Sequence, residues 1–257
     1  MLDWTFAAEG GFEKRAVVII PKGLAATTKL PLLVTLHGMG ETVDARTGAY
    51  GWLESYSLDA TLSNLRHPPL DAQAFEGFVT PERLSEINGD VAKRPFGGLV
   101  IACPYLPRDI GSDSTPFDAY TRFLGEKLLP RLRNETPVMG TPRTTGIDGV
   151  SLGGMNALRF GLMRPDLFGA IGTLQAAVYD DIGTAEYIAA KLAGRPLRIV
   201  TSSEDVYKDT LVSMATALRD RKIAHELLIT PGPHDYAWNR GAGGIEMALW
   251  HDRVLRS

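Results

Sequence analysis

Short apolar runs alternate with stretches of helical periodicity from Leu32 onward, and this alternation leaves few folds open. The runs at 32–36, 99–103, 144–150, 170–174, 197–201 and 225–229 read as buried strands. Between them, Phe117, Tyr120, Phe123, Leu124, Leu128 and Leu132 fall at helical spacing, as do Met155, Leu158, Leu162 and Met163. Further helices are expected at 185–192, 209–220 and 245–255, and an edge strand at 12–20 ahead of Pro21. Such alternation predicts an α/β fold with a mostly parallel central sheet flanked by helices, in which reactive residues collect beyond the carboxyl ends of the strands. A chain of 257 residues can bury the core of one such domain, taken here as 1–257. The segment 43–97 breaks the rhythm. It is too long for one connection and too polar for a core, so it is expected to be an insertion over the site, a lid or cap.

Gly149, Val150, Ser151, Leu152 and Gly153 form a Gly-x-Ser-x-Gly pentad between the strand run at 144–150 and a helical stretch closed by Arg164 and Pro165. A serine nucleophile must stand clear of the chain on a sharp strand-to-helix turn, and flanking glycines let that turn close. A serine before an apolar helix is more often a simple cap. The strand, the glycines and the partners downstream favour the nucleophile.

A serine nucleophile of this type needs an acid and a histidine after later strands, in that chain order. Asp205 follows the strand at 197–201, and His234 follows the strand at 225–229 within Pro231, Gly232, Pro233, His234 and Asp235. His234 would take the proton from Ser151, and Asp205 would hold the imidazole tautomer. Glu204 and Asp209 compete with Asp205 because position within a loop is not legible to one residue. His225, His251 and His67 lack a rigid loop at a strand end. For the oxyanion, the backbone amide of Leu152 is one expected donor. Met39, in His37, Gly38, Met39, Gly40, is the expected second, preferred to Gly40; His37 is assigned a structural hydrogen bond.

The formal charge of −3 comes without a basic patch, which argues against nucleic acid and anionic membrane as partners. No apolar run approaches the length of a bilayer span. The single cysteine, Cys103, lies in an apolar run and reads as a buried, inert thiol. The first residues carry no basic-then-apolar signal pattern, so a cytoplasmic address is expected, with the mature form of a secreted protein left open. No His, Cys or acidic cluster has metal-ligand spacing, so neither metal nor cofactor is expected.

The stretch 149–158, the run Arg164, Pro165, Asp166, Leu167, Phe168, Gly169, the acid loop 203–207 and the His234 loop together resemble the esterase D branch of the α/β-hydrolases. That branch includes S-formylglutathione hydrolases, feruloyl and acetyl-xylan esterases, siderophore esterases and mycolyltransferases. The resemblance covers most of the chain outside 43–97. It implies the α/β-hydrolase fold and a carboxylic ester hydrolase with Ser151, Asp205 and His234 as triad; it does not fix the substrate, and the leading expectation is a small-molecule acyl or aryl ester of acetyl or feruloyl type. Two departures touch the pocket: the 43–97 segment, and Thr173, Leu174, Gln175, Ala176 where many relatives carry a Ser-Gly-Ala turn. Gln175, Trp52 and Trp238 are the candidate substrate contacts. An acyltransferase of the same fold, or a catalytically silent carbohydrate- or protein-binding module, are the alternatives, and oligomeric state is not legible.

Overall fold

The computed structural model describes residues 1–8, 11–108, 110 and 114–256. Its strands are β1 (Leu2–Phe6), β2 (Lys14–Ile19), β3 (Leu32–Leu36), β4 (Val100–Pro104), β5 (Thr145–Gly149), β6 (Ala170–Leu174), β7 (Leu197–Glu204) and β8 (Glu226–Pro233). They form one sheet in the order β1-β2-β4-β3-β5-β6-β7-β8. The first three in that order pair antiparallel, and from β4 to β8 every pairing is parallel. Every residue of β3, β4, β5 and β6 is buried. That is why these strands read as continuous apolar runs and not as alternating ones: helices cover both faces.

The helices are α1 (Ala45–Glu54), α2 (Leu58–Arg66), α3 (Pro81–Lys93), α4 (Ser114–Arg122), α5 (Leu129–Glu135), α6 (Leu152–Met163), α7 (Asp181–Lys191), α8 (Lys208–Asp220), the single turn α9 (Tyr236–Trp238) and α10 (Gly244–Val254). Strand alternation divides the core. Leu32, Val34 and Leu36 join Phe160, Ile171 and Leu211 on one face, while Leu33 joins Trp52, Trp238 and Ile245 on the other. The single helix expected across 117–132 is α4 and α5 joined by a π-helical stretch at Phe123–Leu128. Strand β1, which the sequence reading did not expect, pairs with β2 as an edge hairpin.

The segment 43–97 carries α1, α2 and α3, of which α1 and α3 begin on a side-chain cap. Asp44 caps α1 by accepting from the amides of Arg46 and Thr47, and Thr80 caps α3 with Pro81 in its first turn. Helix α1 packs on β2 and β4, and α2 on α10. Leu58, Leu62, Leu65, Phe75, Ile87 and Val91 all enter the second core. The segment looked too polar because each helix has a solvated face that dilutes its apolar stripe. A buried ion network fastens it to the sheet: Arg83 of α3 and Arg198 of β7 both bond the Glu246 carboxylate, at 2.7 and 2.8 Å.

Candidate active site

The pentad forms a strained turn held between the central strands. The Val150 amide donates to Leu36 O at 3.1 Å, the Ser151 amide to Leu174 O at 2.9 Å, and Ala177 donates back to Ser151 O at 3.0 Å. Ser151 adopts φ 56°, ψ −116°, a conformation costly for any residue with a Cβ and held here by those bonds. A Cβ at Gly149 would meet the Gly153 backbone at 2.5 Å, and one at Gly153 would meet Leu36 O at 2.3 Å. The glycines are therefore required by close backbone approach to the end of β3. Ser151 sits at the cap position of α6, yet its side chain makes no capping bond, which leaves the hydroxyl to the cavity.

Beyond β7 and β8 the acid and the histidine meet. His234 Nδ1 lies 2.7 Å from Asp205 Oδ1. The Asp205 carboxylate is fully buried and also accepts from Thr201 Oγ1 at 2.6 Å and from the Tyr207 amide at 3.0 Å. Three donors fix its plane, and since a carboxylate only accepts, the His234 proton sits on Nδ1 and Nε2 is free to act as base. Glu204, its rival in the sequence, ends β7 exposed to solvent. Gly232 reaches φ 119° to bring the chain round to His234, with its amide bonded to Ser203 Oγ at 3.2 Å.

Ser151 and His234 line one cavity of about 180 Å³ together with Met39, Glu41, Tyr56 and Tyr236. No hydrogen bond closes between the two among the described residues, a looseness common before substrate is bound. Met39 and Leu152 are the first residues of a 3₁₀ turn (Met39–Glu41) and of α6. Amides at such positions have no acceptor within their own helix, so both are open to a ligand. His37 is buried with Nδ1 2.8 Å from Gly38 O and Nε2 accepting from the Leu106 amide at 2.9 Å. Burial lowers its pKa, and it holds the loop as a neutral ring. Burial likewise pushes the Cys103 thiol up to about 12, as an inert thiol requires.

Three expected substrate contacts are corrected. Trp52 and Trp238 have no exposed surface and lie in the second core, where Trp238 Nε1 donates to Thr230 Oγ1 at 2.7 Å. Gln175 is also fully buried, and its Nε2 donates to Ser202 Oγ at 2.6 Å and to Pro233 O at 2.8 Å, tying the ends of β6, β7 and β8 together. Aromatic residues near a site in sequence carry no sign of which face they take. Glu41 and Tyr236 line the cavity without having been expected there, and Tyr56 lines it as one of the aromatic residues of 43–97 that could wall an acyl pocket. The readable signal was Glu41 itself, an acid set directly behind His37, Gly38, Met39, Gly40.

Among the described residues no group of three or more His, Cys, Asp or Glu side chains is placed to hold a metal ion. Nor is any helix long and apolar enough to cross a membrane.

Residues 108–235, which contain the pentad, the acid loop and the histidine loop, match the model of the family described as "Putative esterase". The chain is an α/β-hydrolase of that esterase family. Solved structures resemble the esterase along its length. A ferulic acid esterase superposes with TM-score 0.74 at 17% identity, covering 98% of this chain and 97% of that one. The S-formylglutathione hydrolase of Staphylococcus aureus gives 0.66 at 15% identity, with 98% of each chain covered. A ferulic acid esterase of the anaerobic fungus Anaeromyces mucronatus gives 0.62 at 17%, covering 100% of this chain and 89% of that one. Identities this low speak for the fold alone. A comparison with curated proteins gave no match. The esterase hydrolyses carboxylic esters.

Proposed function

We propose that hydrolysis runs through an acyl-enzyme on Ser151. Ser151 Oγ attacks the ester carbonyl while His234 Nε2 takes its proton, and Asp205 stabilises the imidazolium that forms. The amides of Met39 and Leu152 receive the oxyanion. Collapse of the tetrahedral intermediate breaks the ester bond, with His234 returning the proton to the departing alcohol. Water, activated by the same imidazole, then frees the acid and restores the serine. The observation that carries this reading is the Asp205–His234 contact at 2.7 Å on the cavity that also holds the uncapped Ser151 hydroxyl.

The substrate proposed is a short acyl or aryl ester of acetyl or feruloyl type. A cavity of about 180 Å³ suits a small acyl group, and ferulic acid esterases are among the structural neighbours. The lining includes Glu41 and Asp235 and, among the described residues, neither Lys nor Arg, which favours an acyl group without negative charge. A fluorophosphonate probe is expected to label Ser151, and p-nitrophenyl acetate to be turned over. Labelling that survives Ser151→Ala would remove the serine from the mechanism. Chain-length and feruloyl series, with and without an added alcohol, then rank the acyl groups and measure any transfer to alcohol in place of water.

A further inference from the structure

Glu41 is a buried acid on the wall of the cavity for which the proposed reaction has no use. It is 2% exposed, in a 3₁₀ turn that begins at Met39. A carboxyl group so placed, close to where an oxyanion would form, opposes the developing charge unless its own is engaged. Tyr56 engages it by donating to Glu41 Oε2. Burial, and after it the nearby Glu41, raise the Tyr236 hydroxyl above its ordinary value. The two rings stack at 5.7 Å with 26° between their planes.

The proton direction in this network is fixed by one backbone amide. Gly38 N–H donates to the Tyr56 hydroxyl oxygen at 3.0 Å, so the single Tyr56 proton is left for Glu41. Burial, and after it the charge of Glu41, raise the Tyr56 hydroxyl well above 10, which keeps that proton in place. The Gly38 amide is thereby consumed, and the next amide along, that of Met39, has no acceptor within its own turn and is the proposed oxyanion donor. Tyr236 lies two residues beyond His234, and its hydroxyl sits where a Cβ at Gly40 would meet it at 2.2 Å. Tyr56, held by Glu41, thus joins the segment before the proposed oxyanion amide, which it bonds at Gly38, to the segment after the histidine, where it stacks on Tyr236.

We infer that Glu41 is a positioning residue that, through the Tyr56 hydroxyl and the Tyr236 ring stacked on Tyr56, locks the oxyanion loop in register with the histidine loop. The inference rests on the acyl-enzyme reading above and adds to it a device made from the 43–97 segment, whose one contribution to the cavity lining among the described residues is Tyr56. Its signature is a defect confined to the transition state, since neither Glu41 nor Tyr56 bonds the ground-state ester.

The test compares wild type, Tyr56→Phe, Tyr236→Phe and Glu41→Gln on p-nitrophenyl acetate, with a trifluoromethyl ketone as transition-state mimic and thermal melts as control. Tyr56→Phe keeps the ring and frees the Gly38 amide, so kcat is expected to fall at least about tenfold with KM within about twofold. Ki for the ketone should rise by the same factor as kcat falls. Glu41→Gln should follow Tyr56→Phe, and Tyr236→Phe should fall less. A purely structural role would lower the melting temperature and leave the kcat and Ki of the folded fraction alone, and that result overturns the inference. So does an active wild type whose Tyr56→Phe and Glu41→Gln variants keep both constants. A wild type inert to both ester and fluorophosphonate overturns the serine reading itself, and this inference with it.

Discussion

At the scale of single residues, the decisive contrast is between two neighbouring carboxylates. Asp205 is buried under three hydrogen bonds, and Glu204 points into solvent one position earlier, at the irregular end of β7 where the chain turns and the Asp205 amide bonds Ser202 O. Asp205→Asn is expected to lower turnover roughly 10⁴-fold, by analogy with the loss of the aspartate in a serine-protease triad, while Glu204→Gln stays near wild type in the same steady-state assay. The reverse ranking would move the acid. The pentad placed Ser151 because the turn demands glycines around it, and Gly232 with two prolines placed His234. Sequence alone could not separate Asp205 from its neighbour, since the irregular end of β7 and the turn that follows leave no regular alternation to count along. Trp52 and Trp238 were misread for a related reason. Size and aromaticity mark a residue for burial or for binding equally well, and here the sheet face claims both rings.

At the scale of elements, helix α1 shows how a local cost serves the site. Gly48 and Gly51 are three apart on one face of α1 and are poor helix formers. A Cβ at Gly48 would come within 2.5 Å of His37 Nε2 and 2.3 Å of the Tyr105 ring, and one at Gly51 within 2.8 Å of Glu41 Cγ. Replacing Gly48 by alanine gains about 1 kcal/mol of helix propensity and loses about 1–3 kcal/mol to overpacking, so the packing term is expected to win. Urea denaturation of Gly48→Ala should show a lowered midpoint, and esterase activity should fall with it because His37 and the oxyanion loop are displaced. A stabilised, fully active variant would show that the contact relaxes at no cost. The alternation of strands and helices made the parallel part of the sheet legible. Strand β1 was missed because a half-exposed edge strand has no continuous apolar run.

At the scale of the molecule, the segment 43–97 and the sheet are joined by charge as well as by apolar packing. Burial alone would raise the Glu246 carboxyl, but the hydrogen bonds and charges of Arg83 and Arg198 outweigh it and hold Glu246 below its ordinary value of 4.5. A carboxyl lowered in the folded state stabilises above that ordinary value, and the contribution is lost as pH falls through the lowered one. Glu246→Gln leaves the buried Arg198 with only the longer, largely exposed Glu226 carboxylate, at 3.5 Å, as counter-charge and is expected to cost about 3–5 kcal/mol at neutral pH. Its stability should then depend less on pH than that of wild type on the acid side of 4.5, as read by denaturant melts across a pH series. Equal acid sensitivity in the two proteins would place the acid-labile contact elsewhere.

The straps on the nucleophile turn have a consequence for how this site breathes. By shape the turn is a loop, but the Val150 and Ser151 amides are bonded to carbonyls of β3 and β6, the middle of the sheet. Their exchange with deuterium must wait for those strands to separate, so they should rank with the slowest amides in the protein. Leu152, the very next residue, begins α6, so its amide has no acceptor within the helix, and as the proposed oxyanion donor it should exchange from the folded state within the earliest time points. A boundary between slow and fast labelling between Ser151 and Leu152 would mark where rigidity ends and chemistry begins.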